Sequence, residues 1–474
     1  MQAYQMPQKK NPEGLDYHQM PSSRYLGKRV LVVGMARSGV GAALLLCKLG
    51  ATPVLNDIKP REAFGDKLDE LNNLPVEWRM AEDPVPLLDE CDMLIISPGV
   101  PIDSPVVLAA KAKDKYMIGE LEFAAQNAQG ALLAITGTNG KTTTVTLLGE
   151  IFKAAGKLAF VAGNVGYPMS LAAMESRRED VLIAEVSSFQ LESVDTFHPV
   201  AAAVLNVTED HLIRHYTMDN YIALKKRVFE NQTPQDVAVL NFDDPICYAM
   251  AEGQKAQIAW FSRLSQVDQG AFVENGNVTV RWKGEEKTIC RADEIKIPGP
   301  HNLENALAAV MIAYVRGVPA PVIRHALRTF PGVEHRIEKV RDLDGVEYIN
   351  DSKGTNADST IKAVDTMRAP TVLILGGYDK HVSFKALAEH IRQSPQIADV
   401  VLIGATAPQL EKELLAADYH HISHAKTLEE AVALSRSLAV PGGNVLLSPA
   451  CASFDMFSDY EQRGRVFKDI VNHL

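Results

Sequence analysis

The sequence predicts an α/β protein of three domains, and three observations carry that expectation. The chain has 474 residues, and at ~150 residues per domain this is roughly three domains. Short apolar, β-rich runs alternate with helical patterns along most of it, as in right-handed β–α–β units with buried parallel strands. Many of these strands end in turns containing glycine, serine or asparagine, and folds of this kind bind ligands at the carboxyl ends of their strands.

Composition narrows the function classes. Hydrophobic residues are 46% and charged residues 23%, ordinary for a soluble globular chain. The formal charge of −11 gives no global attraction for nucleic acid or an anionic membrane. Cys47, Cys91, Cys247, Cys290 and Cys451 form no CxxC pair, which reads as reduced thiols in a cytoplasmic protein. No apolar run approaches the ~18 residues of a membrane span. Residues 1–23 are rich in Gln, Pro, Lys and Met without an apolar h-region, so they read as a flexible tail and not a signal peptide.

The first domain is expected over 24–124. Strand Arg29–Val33 runs into Gly34-Met35-Ala36-Arg37-Ser38-Gly39, which opens a helix at Val40–Leu49. The turn is like GxGxxG, but Ala36 replaces the middle glycine. That suits a nucleotide diphosphate at a helix N-terminus and weakens the case for a nicotinamide dinucleotide. The next strand ends at Asp57, placed to meet a ribose. Strand Met93–Ser97 leads into Ser97-Pro98-Gly99, a second turn for the same crevice.

The second domain is expected over 125–333. Strand Ala131–Thr136 is followed by Gly137-Thr138-Asn139-Gly140-Lys141-Thr142-Thr143, a shortened phosphate loop of GxxGKT type. Backbone N–H groups and the helix N-terminus face a triphosphate in this geometry, Lys141 reaches its β/γ-phosphates and the Thr142 hydroxyl can bind Mg²⁺. Strand Val181–Val186 carries Glu185 at its end, followed by Ser187, well placed for the same cation. Strand Ala201–Asn206 leads to Thr208-Glu209-Asp210-His211. Tyr221–Phe229 reads as a helix whose inward face includes Lys225, an odd place for an ammonium. Lys255–Arg291, with turns at Asn275-Gly276 and Lys283-Gly284, reads as a few antiparallel strands. Asn302 and Asn305 are three apart and share a helix face, in a helical run Asn305–Thr329.

The third domain is expected over 334–474. Its strand ends lead into Asn350–Asn356, Gly376–Lys380 and Ser448–Asp455. Three polar turns at three strand ends can converge on one crevice, and two of them carry a lysine, which suits an anionic substrate.

Together these motifs resemble those of the Mur ligase family, the ATP-dependent amino-acid ligases of peptidoglycan synthesis. The resemblance runs from about Lys28 to His473. Its general marks are Gly137–Thr143, Glu185–Gln190, Asn206–His211, the Tyr221–Phe229 helix, His301–Asn305 and His335-Arg336. At Asn350–Asn356 and Ser448–Ser453 it is most similar to the members that add D-glutamate to UDP-N-acetylmuramoyl-L-alanine. The Asp-Asn-Pro-Arg tetrapeptide of the diamino-acid enzymes is absent.

The resemblance implies two substrates besides ATP, no nucleic-acid partner, no membrane span and a monomeric chain. Gly137, Thr138, Asn139, Gly140, Lys141 and Thr143 would hold ATP phosphates. Thr142 and Glu185 would hold one Mg²⁺. His211 and Lys225 would hold a second, with Lys225 carbamylated by CO₂. Asn302, Asn305, Arg336 and Asp351 would contact the nucleotide, and Lys353 would lie near the reacting groups. Asn164 would touch the muramoyl substrate, with Ser187 also on the substrate side. Ser38, Asp57, Lys59 and the Ser97-Pro98-Gly99 turn would meet the UDP part. Thr355, Lys380, Ser453 and Tyr460 would form the D-glutamate pocket. Tyr460 stands where the best-known members have Phe, and Arg37 and Ile58 are also unusual. The implied reaction passes through an acyl phosphate and needs domain closure, with a hinge near Gly332.

Overall fold

The computed structural model describes residues 24–164, 166–379 and 382–474. The tail expected over 1–23 and the expected D-glutamate ligand Lys380 lie outside the described residues. The chain forms two compact units. Among the described residues, one is 24–295 together with Glu304–Thr329, and the other is Lys296–Leu303 together with Phe330–Leu474.

The first unit holds two sheets. The smaller is entirely parallel, in the order Glu77–Trp78, Thr52–Asn56, Arg29–Val33, Met93–Ile96, Met117–Gly119. Strand order reverses between Arg29–Val33 and Met93–Ile96, so the turns after these two strands flank the switch-point crevice. The larger sheet has nine strands. Ala159–Gly163, Val181–Glu185, Ala131–Thr136, Ala201–Val204, Val237–Asn241, Gln257–Ser262 and Gly270–Glu274 are parallel neighbours in that order. Asn277–Trp282 and Glu285–Arg291 then continue the same sheet as antiparallel strands, the second at its edge. The two residues of each hairpin turn, Asn275-Gly276 and Lys283-Gly284, all have positive φ, as a type I′ turn demands.

The two sheets share one core. Tyr25, Leu45, Leu46 and Phe123 from the first pack in one cluster with Met169, Leu182 and Phe197 from the second. Gly41 brings helix Arg37–Lys48 so close that a Cβ there would lie 2.9 Å from Pro168 Cβ. Two buried carboxylates fasten the seam. Glu120 Oε1 accepts from the Ser170 N–H and hydroxyl at 2.7 and 2.6 Å. Glu122 accepts from the N–H groups of Asp195, Thr196 and Phe197.

The second unit has a six-stranded sheet in the order Glu338–Leu343, Val346–Asn350, Asn444–Leu447, Thr371–Gly376, Ile397–Ile403, Ile422–His424. Only its first pair is antiparallel.

The expected helical run Asn305–Thr329 is two helices, Pro300–Val315 and Ala320–Thr329. Gly317 at φ +79° ends the first in the left-handed conformation, and Pro319 cannot continue it. The expected Tyr221–Phe229 helix starts earlier, at Met218, where the Thr217 hydroxyl caps it by accepting from Asn220 N–H. It tightens into a 3₁₀ turn at Arg227–Phe229. Among the described residues no helix is long and apolar enough to cross a membrane.

Candidate active site

The phosphate loop is stitched to the segment after the adjacent strand. Asn139 N–H donates to Asn206 Oδ1 at 2.9 Å, and Asn206 Nδ2 returns a bond to the Asn139 carbonyl at 3.1 Å. The Thr138 hydroxyl donates to the Thr208 carbonyl and lies 3.2 Å from the Tyr221 hydroxyl. Helix Lys141–Ala154 starts at the loop's end, so its N-terminal N–H groups and positive dipole end are available to an anion. Lys141 Nζ folds back onto the carbonyls of Gly137 and Thr138, at 2.9 and 2.8 Å. Thr142 is half-buried in the first turn and Thr143 is buried.

Gly140 makes this loop possible. Its φ is +86°, and a Cβ would lie 2.1 Å from Asn305 Oδ1. Gly140→Ala is therefore expected to cost about 1–3 kcal/mol in backbone strain, with a further cost from displacing Asn305. The melting temperature should fall and calorimetric ATP affinity should weaken together. A variant with unchanged affinity would show that the loop's shape does not set phosphate binding.

Three further expected residues are Glu185, Lys225 and His211. Glu185 is 2% exposed. Its Oε1 accepts from Asn164 Nδ2 at 3.0 Å, and Oε2 is buried without a hydrogen-bond partner. A buried orphan carboxylate oxygen is costly unless something cationic meets it, so the site fits a divalent cation. Lys225 is 1% exposed. Its Nζ donates to the Gly137 carbonyl at 2.8 Å and sits 4.4 Å from the Tyr221 ring centroid. Burial, and then the nearby Lys141 charge, push its ammonium well below the usual lysine range. His211 has a left-handed backbone, φ +56°, packs on the Phe189 ring at 4.9 Å and lies 3.5 Å from an Asp210 oxygen.

In the first sheet's crevice, Ser38 lies half-buried in the first turn of helix Arg37–Lys48. Asp57 accepts from the N–H groups of Met35 and Lys59, at 2.8 and 3.0 Å. It thus secures the glycine turn. The Ser97 hydroxyl donates to the Gly34 carbonyl at 2.6 Å, joining the two turns, while Pro98 is half-buried and Gly99 exposed. Ile58 is 88% exposed. The hydroxyl of Ser187 accepts from Gln190 N–H and caps its own helix.

In the second unit two of the expected turns, Asn350–Asn356 and the one after Leu447, meet at Asp351, which is fully buried. Its Oδ2 accepts from the Ser448 hydroxyl at 2.7 Å, its Oδ1 from Ile337 N–H at 3.3 Å, and Arg336 Nη1 lies 3.9 Å away. Burial pushes its carboxyl up to about 6, against the pull of Arg336 and these donors. The folded state keeps the proton up to about pH 6, whereas an unfolded Asp releases it near 4. Stability from this group is complete below about pH 4 and is lost as pH rises through 6. Between pH 4 and 7 the native unfolding free energy should fall by roughly 2 kcal/mol more than that of Asp351→Asn. Urea titrations at the two pH values measure the difference, and parallel falls would refute it.

Asn302 is buried and donates to the Pro298 carbonyl at 2.6 Å. Lys353 Nζ donates to the Tyr460 hydroxyl at 3.3 Å. Thr355 N–H donates to the Lys353 carbonyl, and Ser453 is buried with its carbonyl accepting from Met456 and Phe457 N–H.

Family comparisons agree along the chain. The Mur ligase MurD-like N-terminal domain matches residues 28–119, the Mur ligase middle domain 135–313, and the Mur ligase glutamate ligase domain 335–451. A UDP-N-acetylmuramoylalanine–D-glutamate ligase from Thermoanaerobacter sp. (strain X514) is 44% identical over 94% of this chain and 99% of its own. Another, from Clostridioides difficile (strain 630), is 45% identical over 94% and 99%. The chain belongs to the Mur ligase family.

Solved structures share the fold at low identity. MurC from Thermotoga maritima has a TM-score of 0.60 at 17% identity over 94% of this chain and 99% of its own. MurF from Acinetobacter baumannii has a TM-score of 0.61 at 17% identity over 94% and 93%.

This Mur ligase also uses charged residues that its sequence does not single out. Arg214 binds both oxygens of buried Glu192, donates to the Val100 carbonyl, and stacks 5.0 Å from the Phe189 ring centroid. It thereby links the loop beyond Gly99 to the ring that supports His211. Arg463, 1% exposed, donates to the Ser352 hydroxyl and to the carbonyls of Ser352, Cys451 and Ala452. Two of the polar turns are thereby pinned together. The only sequence signal for either is a basic residue at a helical position, which ordinarily reads as surface.

Proposed function

We propose that this Mur ligase joins D-glutamate to UDP-N-acetylmuramoyl-L-alanine, turning ATP into ADP and phosphate, in the cytoplasmic assembly of a peptidoglycan precursor. The near-full-length identity to ligases of that name carries the reading. A phosphate loop beside a buried carboxylate and a buried lysine supports it chemically. Residues 24–124 would take the uridine substrate, 125–333 ATP and 334–474 the amino acid, in a monomer.

A carboxylate is a poor acyl donor because its oxygen leaves badly. In the proposed reaction the L-alanyl carboxylate takes the γ-phosphoryl of ATP, and ADP departs. The D-glutamate amine then attacks the acyl carbon, and phosphate leaves from the tetrahedral intermediate. Holding the reactants in line offsets an entropic barrier of about 7–11 kcal/mol. Lys141 would exchange its loop carbonyls for phosphate oxygens, aided by the N–H groups of the loop. Asn302, Asn305, Arg336 and Asp351 would hold the nucleotide. Ser38, Asp57, Lys59 and the Ser97-Pro98-Gly99 turn would hold the UDP end, and Thr355, Lys380, Ser453 and Tyr460 the amino acid. Lys353 would offer positive charge to the reacting groups.

Mg²⁺, when bound, offsets the negative charge gathered around the transferred phosphoryl group. Thr142 and Glu185 would hold one ion, and His211 with Lys225 a second. An ammonium cannot ligate a cation. A neutral lysine amine can attack CO₂, forming an N–C bond and releasing a proton, and the resulting carbamate oxygen can. The environment of Lys225 favours the neutral amine that this step requires.

The test is phosphate release with ATP, Mg²⁺ and UDP-N-acetylmuramoyl-L-alanine against D-Glu, L-Glu, L-Lys and meso-diaminopimelate. D-Glu alone should support it. Release with a diamino acid but not D-Glu would overturn the choice of amino acid, and silence throughout would overturn ligation.

A further inference from the structure

Tyr460 begins the C-terminal helix Tyr460–His473, directly after its N-cap Asp459. Its backbone is fixed twice: Asp459 caps the first turn by accepting from Gln462 N–H at 2.7 Å, and the Ser352 hydroxyl donates to the Tyr460 carbonyl at 2.8 Å. Its ring meets His335 edge-on at 6.3 Å between centroids. Lys353 Nζ lies 5.1 Å from that ring centroid and 3.3 Å from its hydroxyl oxygen. The hydroxyl in turn donates to Glu461 Oε1 at 3.2 Å.

The direction of these bonds matters. A phenol carries one hydrogen, and an ammonium can only donate. With its hydrogen given to Glu461, the Tyr460 oxygen turns lone pairs toward Lys353. The Glu461 carboxylate polarises the phenol further, since hydrogen bonds in a chain strengthen one another. Phenylalanine would keep the ring and its attraction for the cation but would offer no acceptor. The contact between this side chain and Lys353 would then be broad and weakly directional.

We propose that the Tyr460 hydroxyl, oriented by Glu461, is a positioning group for Lys353 and fixes where its positive charge stands during acyl transfer. The proposal rests on the reading of Lys353 as lying beside the reacting groups. It assigns the hydroxyl to the lysine, whereas the ring remains available to the amino-acid pocket. Sub-ångström placement of a charge matters because misplacement by about 1 Å can cost on the order of a hundredfold in rate.

The experiment is steady-state kinetics of the full chain with D-glutamate varied. Tyr460→Phe is expected to lower kcat by about tenfold, a partial loss of the geometric effect, while the KM for D-glutamate stays within about twofold. Glu461→Gln should shift kcat in the same sense and by less, because an amide oxygen still accepts but carries no charge. In a Lys353→Gln background, Tyr460→Phe should change the residual rate little, since the partner it positions is gone. A raised KM with unchanged kcat would overturn the proposal and give the hydroxyl to the substrate. So would an unchanged pair of constants, or an equal loss of kcat in the Lys353→Gln background. Phosphate release by the unaltered enzyme is measured first, and its absence with D-glutamate would overturn the functional reading and this proposal together.

Discussion

Lys225→Ala is expected to lower ATP-dependent phosphate release by at least about a thousandfold, a loss of ~4 kcal/mol in transition-state stabilisation. The side chain is buried against Tyr221 with Nζ on the Gly137 carbonyl, a site with no solvent to hydrate an ammonium. If its purpose were packing, Lys225→Met would fill the same space and keep the rate. If its purpose is to carry a carbamate, Met fails as badly as Ala. Acid treatment followed by return to CO₂-free buffer should then depress the activity of the unaltered enzyme, and bicarbonate should restore it. Labelled ¹³C-bicarbonate should give a carbamate resonance that both variants lack. Near-native activity in Lys225→Met would remove the carbamate altogether.

Glu185→Gln should be the second most damaging change, and its fold should survive it. The amide oxygen can still accept from Asn164, as Oε1 does now. What disappears is the charge on the oxygen that has no hydrogen-bond partner. Phosphate release should fall about a hundredfold or more, since a cation's stabilisation of the transition state is worth several kcal/mol. The Mg²⁺ concentration for half-maximal rate should rise. The melting temperature without Mg²⁺ should hold or increase, because an unpaired buried carboxylate opposes folding. A melting temperature that falls while the Mg²⁺ dependence stays fixed would make Glu185 a structural residue.

The strands were legible because strands covered on both faces must be apolar throughout. Arg29–Val33 and Ala131–Thr136 have the bounds expected of them, and so does Asn277–Trp282, an alternating strand marked instead by the turns on either side of it. The helical run after Asn302 was less so, because Arg316–Pro319 is too short an interruption to alter the apolar average. Of the site, the phosphate loop, Glu185 and Lys225 were readable because each breaks a local rule: a glycine turn before a lysine, or a charge on an apolar face. Glu120, Glu122, Arg214 and Arg463 were not. Each is a charge whose partners come from distant segments, and in one sequence such a residue looks like a solvated one. The bonds of Asp57, Asn164 and Ser187 to their own surroundings could not be read either, since an oxygen near a ligand site serves a backbone N–H equally well.

The seam sealed by Glu120, Glu122 and Gly41 has a consequence for selectivity. Because the two sheets share one core, the span from the Gly34 turn to the Gly137–Thr143 loop is set by packing within one compact unit. Under the proposed function that unit would act as a gauge: a donor anchored by its nucleotide end would be checked by reach, and one whose carboxylate fell short of or beyond the phosphate loop would be refused without any contact to its middle.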